Sequence, residues 1–475
     1  MADSLTQFVA GSYRDRTARV LERDGRILRA LSESATTEWR QLAECDRFQA
    51  FVERGDVVES RELGSEEFAA LGLPGWAVSA LEHGRVPFVS YPYEWSFGML
   101  RDAALLQLRI LKECLDAGFI LKDASAYNVL FHGAQPVFID VASFVRHVAG
   151  RPWAGYRQFC EMFLIPLLLQ AYRGLPLQTV LRSDLEGWSP RMASRLFSWR
   201  DLLRPGVFAD VWVHGLCQGM ASRGPAPASS SLSSQSFSSR AIRANVDRLM
   251  RIVERVSWSP PATTWTTYNE QQSHVRKNLD FKSEFVESVC KERRRSLVWD
   301  LGCNTGTYSR IAARSSDHVV AMDQDAGCVE LLYRDLKANG PANILPLTIN
   351  LANSSPAQGW RGRERLRVEE RGRPDLVLCL GLIHHVVIGC NVPLSEFVDW
   401  LADLGGEVVI EFPSKTDPLV RQLLSAKADQ YDDYSLESLR ACLEERFTIA
   451  RCEEVPDSER MLIHAIPGIV PDCGV

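Results

Sequence analysis

Apolar residues in the second half of the chain fall into short runs that alternate with stretches of helical period. The runs at 296–301, 318–323, 343–349, 374–380, 406–411, 447–452 and 460–465 read as strands. Between them, 307–314, 326–338, 394–403, 418–427 and 435–445 read as helices. Such alternation predicts an α/β unit with a mostly parallel sheet covered on both faces. The last two strands follow one another without a helix, which predicts an antiparallel hairpin at the sheet edge.

The first half is patterned differently. Residues 19–28 read as a hairpin with Asp24-Gly25 at its turn, and 100–117 as an amphipathic helix stopped by Gly118. Short strands are expected at 128–131 and 137–139. The most apolar stretch, 163–171, falls far short of the ~20 residues that span a bilayer, so a core helix is expected there and no membrane span. Gly224-Pro225-Ala226-Pro227-Ala228 then runs into a serine-rich stretch that has little apolar surface to bury. A linker at 223–240 therefore divides the chain into an N-terminal unit, 1–222, and a C-terminal unit, 241–475. A second polar stretch, 257–272, joins a short helical segment to the C-terminal core.

Composition narrows the function. With 475 residues, 46% hydrophobic and 24% charged, the chain has material for more than one folded core. A net charge of -6 argues against nucleic acid as the partner. The 12 cysteines form no C-x-x-C pair and no Cys/His cluster of zinc spacing. They read as reduced thiols, without metal, in a cytoplasmic protein. The N-terminus carries Asp3 and lacks a basic-then-apolar leader pattern.

The most informative segment is Leu-Val-Trp-Asp-Leu-Gly-Cys-Asn-Thr-Gly, 297–306. A strand ends in an acid and a glycine-spaced turn, and a helix follows. Such a turn lets a ligand lie against the backbone, next to the unpaired N–H groups of the helix N-terminus. A dinucleotide fingerprint needs G-x-G-x-x-G, but here the central position is Asn304 and no third glycine follows at the required offset. Asp300 would also repel a pyrophosphate and suits a cofactor bearing a cationic amino group. Asp-Leu-Gly-Cys-Asn-Thr-Gly, 300–306, resembles the first motif of class I S-adenosylmethionine (SAM)-dependent methyltransferases. The resemblance implies a Rossmann-like seven-stranded fold and SAM as cofactor, with Asp300, Gly302, Cys303, Asn304 and Gly306 around its amino-acid portion. It also implies Asp323 and Gln324, closing the second strand, at the ribose, and Asn350 and Leu351, after the third, beside the adenine.

The fourth strand leads into Gly381-Leu382-Ile383-His384-His385, a loop that would face the transferred methyl group. Methyl transfer is an in-line displacement that chiefly needs two reactants oriented, with a base if the acceptor is a hydroxyl. His384 and His385 are the candidate bases, since imidazole titrates near neutrality. Glu411, in Val-Ile-Glu-Phe-Pro at 409–413, lies on the ligand-binding edge and completes the catalytic candidates. Lys282, with Tyr268 and Lys277, lies on an approach that reaches toward the cofactor. The absence of Asn-Pro-Pro-Tyr or Asp-Pro-Pro-Tyr after the fourth strand disfavours exocyclic base amines as acceptors. Cys379 lies inside a strand, which disfavours a cysteine-nucleophile mechanism. The basic stretch 361–367 is interleaved with acids and reads as a solvated insertion.

In the N-terminal half, Asp123, Asn128 and Asp140 have the catalytic-loop and metal-loop spacing of kinase-like phosphotransferases, and the resemblance implies an α+β kinase-like domain. Two departures matter. No glycine-rich phosphate loop occurs in the first 110 residues, and no lysine precedes Lys112. Arg26 or Arg29 would have to replace that lysine, and arginine is not an equivalent charge. The domain is therefore expected to be degenerate and non-catalytic, binding the acceptor or a protein partner. Tyr91-Pro92-Tyr93-Glu94-Trp95-Ser96-Phe97 and Tyr156-Arg157-Gln158-Phe159-Cys160-Glu161, together with the His-His loop and Ile-Glu-Phe-Pro, resemble a bacterial two-part family that includes the rhizobial nodulation protein NoeA. The resulting expectation is methyl transfer to oxygen or nitrogen of a small molecule or a glycan or lipo-oligosaccharide precursor. The alternatives are a bifunctional methyltransferase-phosphotransferase and a SAM-binding scaffold without turnover.

Overall fold

Parallel strands covered on both faces run apolar throughout, and antiparallel strands with one solvated face alternate. In a computed structural model describing residues 8–221, 238–261, 275–425 and 427–468, this rule orders the C-terminal half. Strands β9 (Arg295–Leu301), β12 (Leu376–Cys379) and β13 (Glu407–Pro413) are almost wholly buried and central. β10 (Ser316–Asp323) and β11 (Ile344–Thr348) extend one side; β14 (Phe447–Glu454) and β15 (Arg460–Pro467) form the other. The order is β11-β10-β9-β12-β13-β15-β14. The first five strands are parallel, and β15 is antiparallel to both β13 and β14. The predicted edge hairpin is present, and its outer strand β14 is half-exposed.

The helices follow the predicted periodicity closely. In this half they are α4 (Val275–Glu292), α5 (Thr307–Ala313), α6 (Ala326–Asn339), α7 (Leu394–Leu404), α8 (Pro418–Ser425) and α9 (Leu436–Arg446). In the N-terminal half, β1 (Ala18–Arg23) and β2 (Arg26–Leu31) meet at the Asp24-Gly25 turn, where both residues take positive φ, as a tight two-residue hairpin requires. With β3 (Ser60–Glu62) and β4 (Ser79–His83) they form an antiparallel sheet of order β1-β2-β4-β3. Two small two-stranded sheets follow, β5 (Phe119–Leu121) with β8 (Phe144–Arg146) and, between them in the chain, β6 (Val129–His132) with β7 (Gln135–Phe138). The rest is mainly helical and includes α1 (Phe97–Asp116) and the buried α2 (Ile165–Arg173). No helix among the described residues is long and apolar enough to cross a membrane.

The chain divides into two compact units, but not at the expected boundary. The first comprises Met1–Phe131, Pro136–Ser259 and Ala357–Arg365; the second comprises His132–Gln135, Pro260–Pro356 and Leu366–Val475. The expected linker falls mostly outside the described residues, and its end already opens helix α3 (Ser239–Arg255), with Ser238 as N-cap. α3 was expected to begin the C-terminal unit and belongs to the first. Its stripe of Ile242, Val246, Leu249, Ile252 and Val253 is buried, and it packs on α1, with Lys112 reaching Asp247 at 2.6 Å. Arg248 also grips fully buried Asp210 through both carboxylate oxygens at 2.6 and 2.7 Å.

The insertion around 361–367 needs a second correction. Arg361 and Arg363 do not bury, but the segment is not simply solvated, because Ala357–Arg365 belongs to the first unit. Glu364 is buried there against Tyr13 and Arg14, and Arg365 lies 3.8 Å over the Tyr127 ring.

If α3 is part of the first core, Leu249→Ala should lower unfolding stability by about 2–5 kcal/mol in urea melts. A loss below about 1 kcal/mol would mean that the helix does not pack there.

Candidate functional site

Chain order reverses between β9 and β12, and open parallel sheets bind ligands in the crevice at the carboxyl ends of their strands at such a point. A cavity lies there. Its wall includes Gly302, Cys303 and Asn304 from the β9–α5 turn, Asp323 and Gln324 from the end of β10, and Asn350 and Leu351 from the end of β11. The sequence therefore brings seven of its nine cofactor candidates to one surface. Asp300 and Gly306 are not on it.

The turn explains those two. Gly302, Asn304 and Gly306 have φ of 73°, 50° and 84°, and a Cβ on Gly306 would come within 2.6 Å of Leu332 Cδ1. Gly306 thus serves the packing of the turn against α6, where no side chain fits. Asp300 lies beneath the turn at 1% exposure and accepts a 2.5 Å hydrogen bond from Ser309 Oγ in the first turn of α5. It braces strand against helix and is not on the cavity wall. Burial pushes its carboxyl up to about 7.

Asp323 is the carboxylate on the cavity wall beside the turn. Its Oδ2 accepts the Asn304 N–H and its Oδ1 the Asp325 N–H, both at 2.8 Å. Burial raises its pKa, and no cation pairs with it among the described residues. A carboxylate offers about four acceptor positions, so capacity remains for a diol. Asn350 is exposed and spends its side-chain oxygen on the Ala352 N–H at 3.0 Å.

The three catalytic candidates also meet in this cavity, with properties that change their roles. His384 is fully buried in the turn after β12, its ring 4.0 Å from that of His385. Neither of its ring nitrogens has a hydrogen-bond partner among the described residues. Burial lowers its pKa to about 3 and also lowers that of His385, which disfavours the imidazolium form of each. Glu411, 2% exposed on β13, receives Lys282 Nζ at 2.5 Å and Arg460 Nη1 at 2.8 Å. These cations hold its carboxyl down at about 2 despite burial. Of the three, Glu411 and His384 are thereby made weak proton acceptors.

Arg460 is the functional residue that sequence reasoning missed. It bonds Asp417 through Nε at 2.7 Å, so Lys282, Glu411, Arg460 and Asp417 form a buried chain of alternating charge. Lys282, expected on an approach toward the cofactor and there as a solvated lysine rather than a cofactor contact, is buried and paired with Glu411. Tyr268 lies outside the described residues, as does the side chain of Lys277. Elsewhere in this unit Glu292, Glu407 and His464 approach one another, but Glu407 already binds Arg295 at 2.6 Å and Arg293 at 2.8 Å.

In the first unit the kinase-spaced residues also converge. Asn128 Nδ2 and Ser143 Oγ both donate to Asp123 Oδ1 at 2.8 Å, and Arg29 Nη1 reaches Asp140 Oδ1 at 2.8 Å. Burial, with Asp140 adding repulsion, pushes Asp123 up to about 6.

Nodulation protein NoeA of Rhizobium meliloti (strain 1021) is 31% identical over 467 residues, spanning 96% of this chain and 95% of that protein. The chain belongs to the NoeA family. The matched span includes both units, so family membership covers the N-terminal polar cluster as well as the cavity. No protein-family model matches the chain. Among solved structures, magnesium protoporphyrin IX methyltransferase of Synechocystis PCC 6803 aligns at TM-score 0.30 and 19% identity, covering 43% of this chain and 92% of that one. The N-methyltransferase NodS of Bradyrhizobium japonicum WM9 aligns at TM-score 0.30 and 12% identity, covering 40% and 97%. The bifunctional kinase-methyltransferase WbdD aligns at TM-score 0.29 and 16% identity, covering 42% and 40%. At such scores these likenesses carry no weight, and the fold of this NoeA relative rests on its own strand order.

Asp300 gives a signed pH effect. The folded state keeps a proton that the unfolded chain releases above its ordinary carboxylate range, so stability falls as pH rises from about 4 to 7. Asp300→Asn should remove that slope and gain stability over the native protein across this window, read by urea unfolding at stepped pH. Parallel curves would mean that Asp300 is already ionised when folded.

Proposed function

We propose that this protein is a SAM-dependent methyltransferase of class I fold, acting on oxygen or nitrogen of a small molecule or a glycan or lipo-oligosaccharide precursor. The observation that carries the reading is Asp323, a half-buried carboxylate that no cation pairs among the described residues, in the wall of the cavity at the strand-order reversal. Two backbone N–H groups hold this carboxylate in place and leave it acceptor capacity toward the cavity, for which vicinal ribose hydroxyls are suitable donors. The turn beside it carries Asn304 where a dinucleotide needs bare glycine, which supports SAM over NAD. Gly302, Cys303 and Asn304 would border the amino-acid portion, with Gln324, Asn350 and Leu351 near the nucleoside. Bound there, SAM supplies an electrophilic methyl group. The protein's own part is to exclude water, orient the acceptor and leave the His384 ring available to it.

The first unit we read as a degenerate kinase-like domain that binds the acceptor or a partner protein. The ion pair of Arg29 with Asp140 supports this: it occupies the carboxylate that would otherwise hold a metal ion.

Asp323→Ala should weaken SAM binding about a hundredfold in calorimetry, the equivalent of losing charge-assisted hydrogen bonds. Unchanged affinity would sink the cofactor assignment. For the first unit, millimolar Mg-ATP should leave the melting temperature unchanged, whereas a shift abolished by Asp140→Ala would establish a phosphotransferase-type site.

A further inference from the structure

Glu411 is clamped asymmetrically. Both cations, Lys282 Nζ and Arg460 Nη1, bind the same oxygen, Oε1, at 2.5 and 2.8 Å. Oε2 accepts no hydrogen bond among the described residues. It faces the loop after β12: a Cβ built on Gly381 would stand 3.7 Å from it, and Gly381, with φ of 63°, carries none. Gly381, Glu411, His384, Lys282 and Arg460 all line the same cavity. Fully buried His384 adds two unpartnered ring nitrogens. Buried polar atoms without partners are rare in folded proteins, and the two bare ring nitrogens of His384 point to a ligand that satisfies them.

We infer that Glu411 docks the methyl acceptor through Oε2, and that the atom methylated is an amine nitrogen. The inference rests on the methyltransferase reading above and deepens it. A hydroxyl acceptor needs a base to take its proton as the bond forms. Glu411 is held ionised by Lys282 and Arg460 on Oε1, and the full burial of His384 disfavours its imidazolium form, so neither readily takes up a proton. A neutral amine needs no base before attack. Its lone pair forms the N–C bond as the carbon–sulfur pair returns to sulfur; nitrogen becomes positive and later releases its proton to water. A fixed anionic oxygen beside that nitrogen favours the developing charge. A carboxylate acceptor would meet the bare Oε2 and be repelled.

The test uses the full-length protein with methyl-labelled SAM and a small-molecule cell extract split in two. One half is treated with acetic anhydride to block amines, then with mild alkali to free any O-acetyl groups. Label should enter the untreated half, fall at least tenfold in the blocked half, and resist mild alkali in the product. Label that survives amine blocking, or is released by alkali as from a methyl ester, overturns the amine assignment and leaves methyl transfer standing. SAM bound with no label in either half overturns this inference in favour of binding without turnover. No SAM binding in calorimetry overturns the underlying reading itself. Glu411→Gln and the charge-retaining Glu411→Asp should each keep SAM affinity within about twofold and lose about a hundredfold in labelling rate. The second variant guards against loss of fold in the first. A tenfold loss of SAM affinity in a folded variant would assign Glu411 to the cofactor and overturn its docking role.

Discussion

A carboxylate buried on a central strand is expensive unless it is paired, and Glu411 on β13 is buried almost completely. Its pairing draws distant parts of the second unit together. Lys282 comes from α4, ahead of the first strand, and Arg460 from β15, in the last hairpin. Arg460 can reach only because β15 runs antiparallel to β13 with Glu411 opposite Leu462, which sets Arg460 close along the strand. Asp417, just before α8, closes the far side of the guanidinium. One ionic chain thus ties the approach helix, the sheet and its edge hairpin together at the mouth of the crevice, where a ligand would demand fixed geometry.

The acids of the same unit show how position divides labour among chemically similar groups. Asp300 and Asp323 end neighbouring parallel strands, yet only Asp323 reaches the cavity. Asp300 is turned under the glycine-spaced loop to Ser309, a structural brace that lets the loop hold its left-handed residues. Asp323 is fixed from the other side by the Asn304 N–H, so the turn and the carboxylate position each other. A motif that reads as a single binding signature is therefore a support and a contact surface joined by one hydrogen bond.

The order of elements in the second unit was legible because buried parallel strands must be apolar runs and covering helices must be amphipathic. Its strands and helices begin and end within about three residues of the periodicity, which is ordinary for fraying ends. Most of the cavity wall was legible too, since strand termini at a reversal of order converge by topology. The side-chain partnerships were not. Nothing local marks Arg460 as the partner of Glu411, because their contact follows from hairpin register. The amphipathic stripe of α3 announced burial but not against what, and a composition-based linker assigned it to the wrong unit. Glu364 and Arg365 read as a solvated charge run, since no periodicity records that nine residues of a later segment fold into an earlier unit.

The polar cluster of the first unit follows the same logic with the opposite outcome. Asp123, Asn128 and Asp140 do converge, as their spacing suggested. The chain lacks the early lysine of a nucleotide site, and Arg29 from β2 fills the space by binding Asp140 directly and donating to the Ile139 carbonyl and to His83. A buried arginine with this many partners is hard to displace, because removal would leave several acceptors unsatisfied at once. A divalent ion would have to compete with that guanidinium for Asp140 while Asp123 is already engaged by Asn128 and Ser143. The geometry fills one oxygen of each acid, Oδ1 of Asp123 and Oδ1 of Asp140, so a divalent ion would meet a cluster already half engaged by hydroxyl, amide and guanidinium groups.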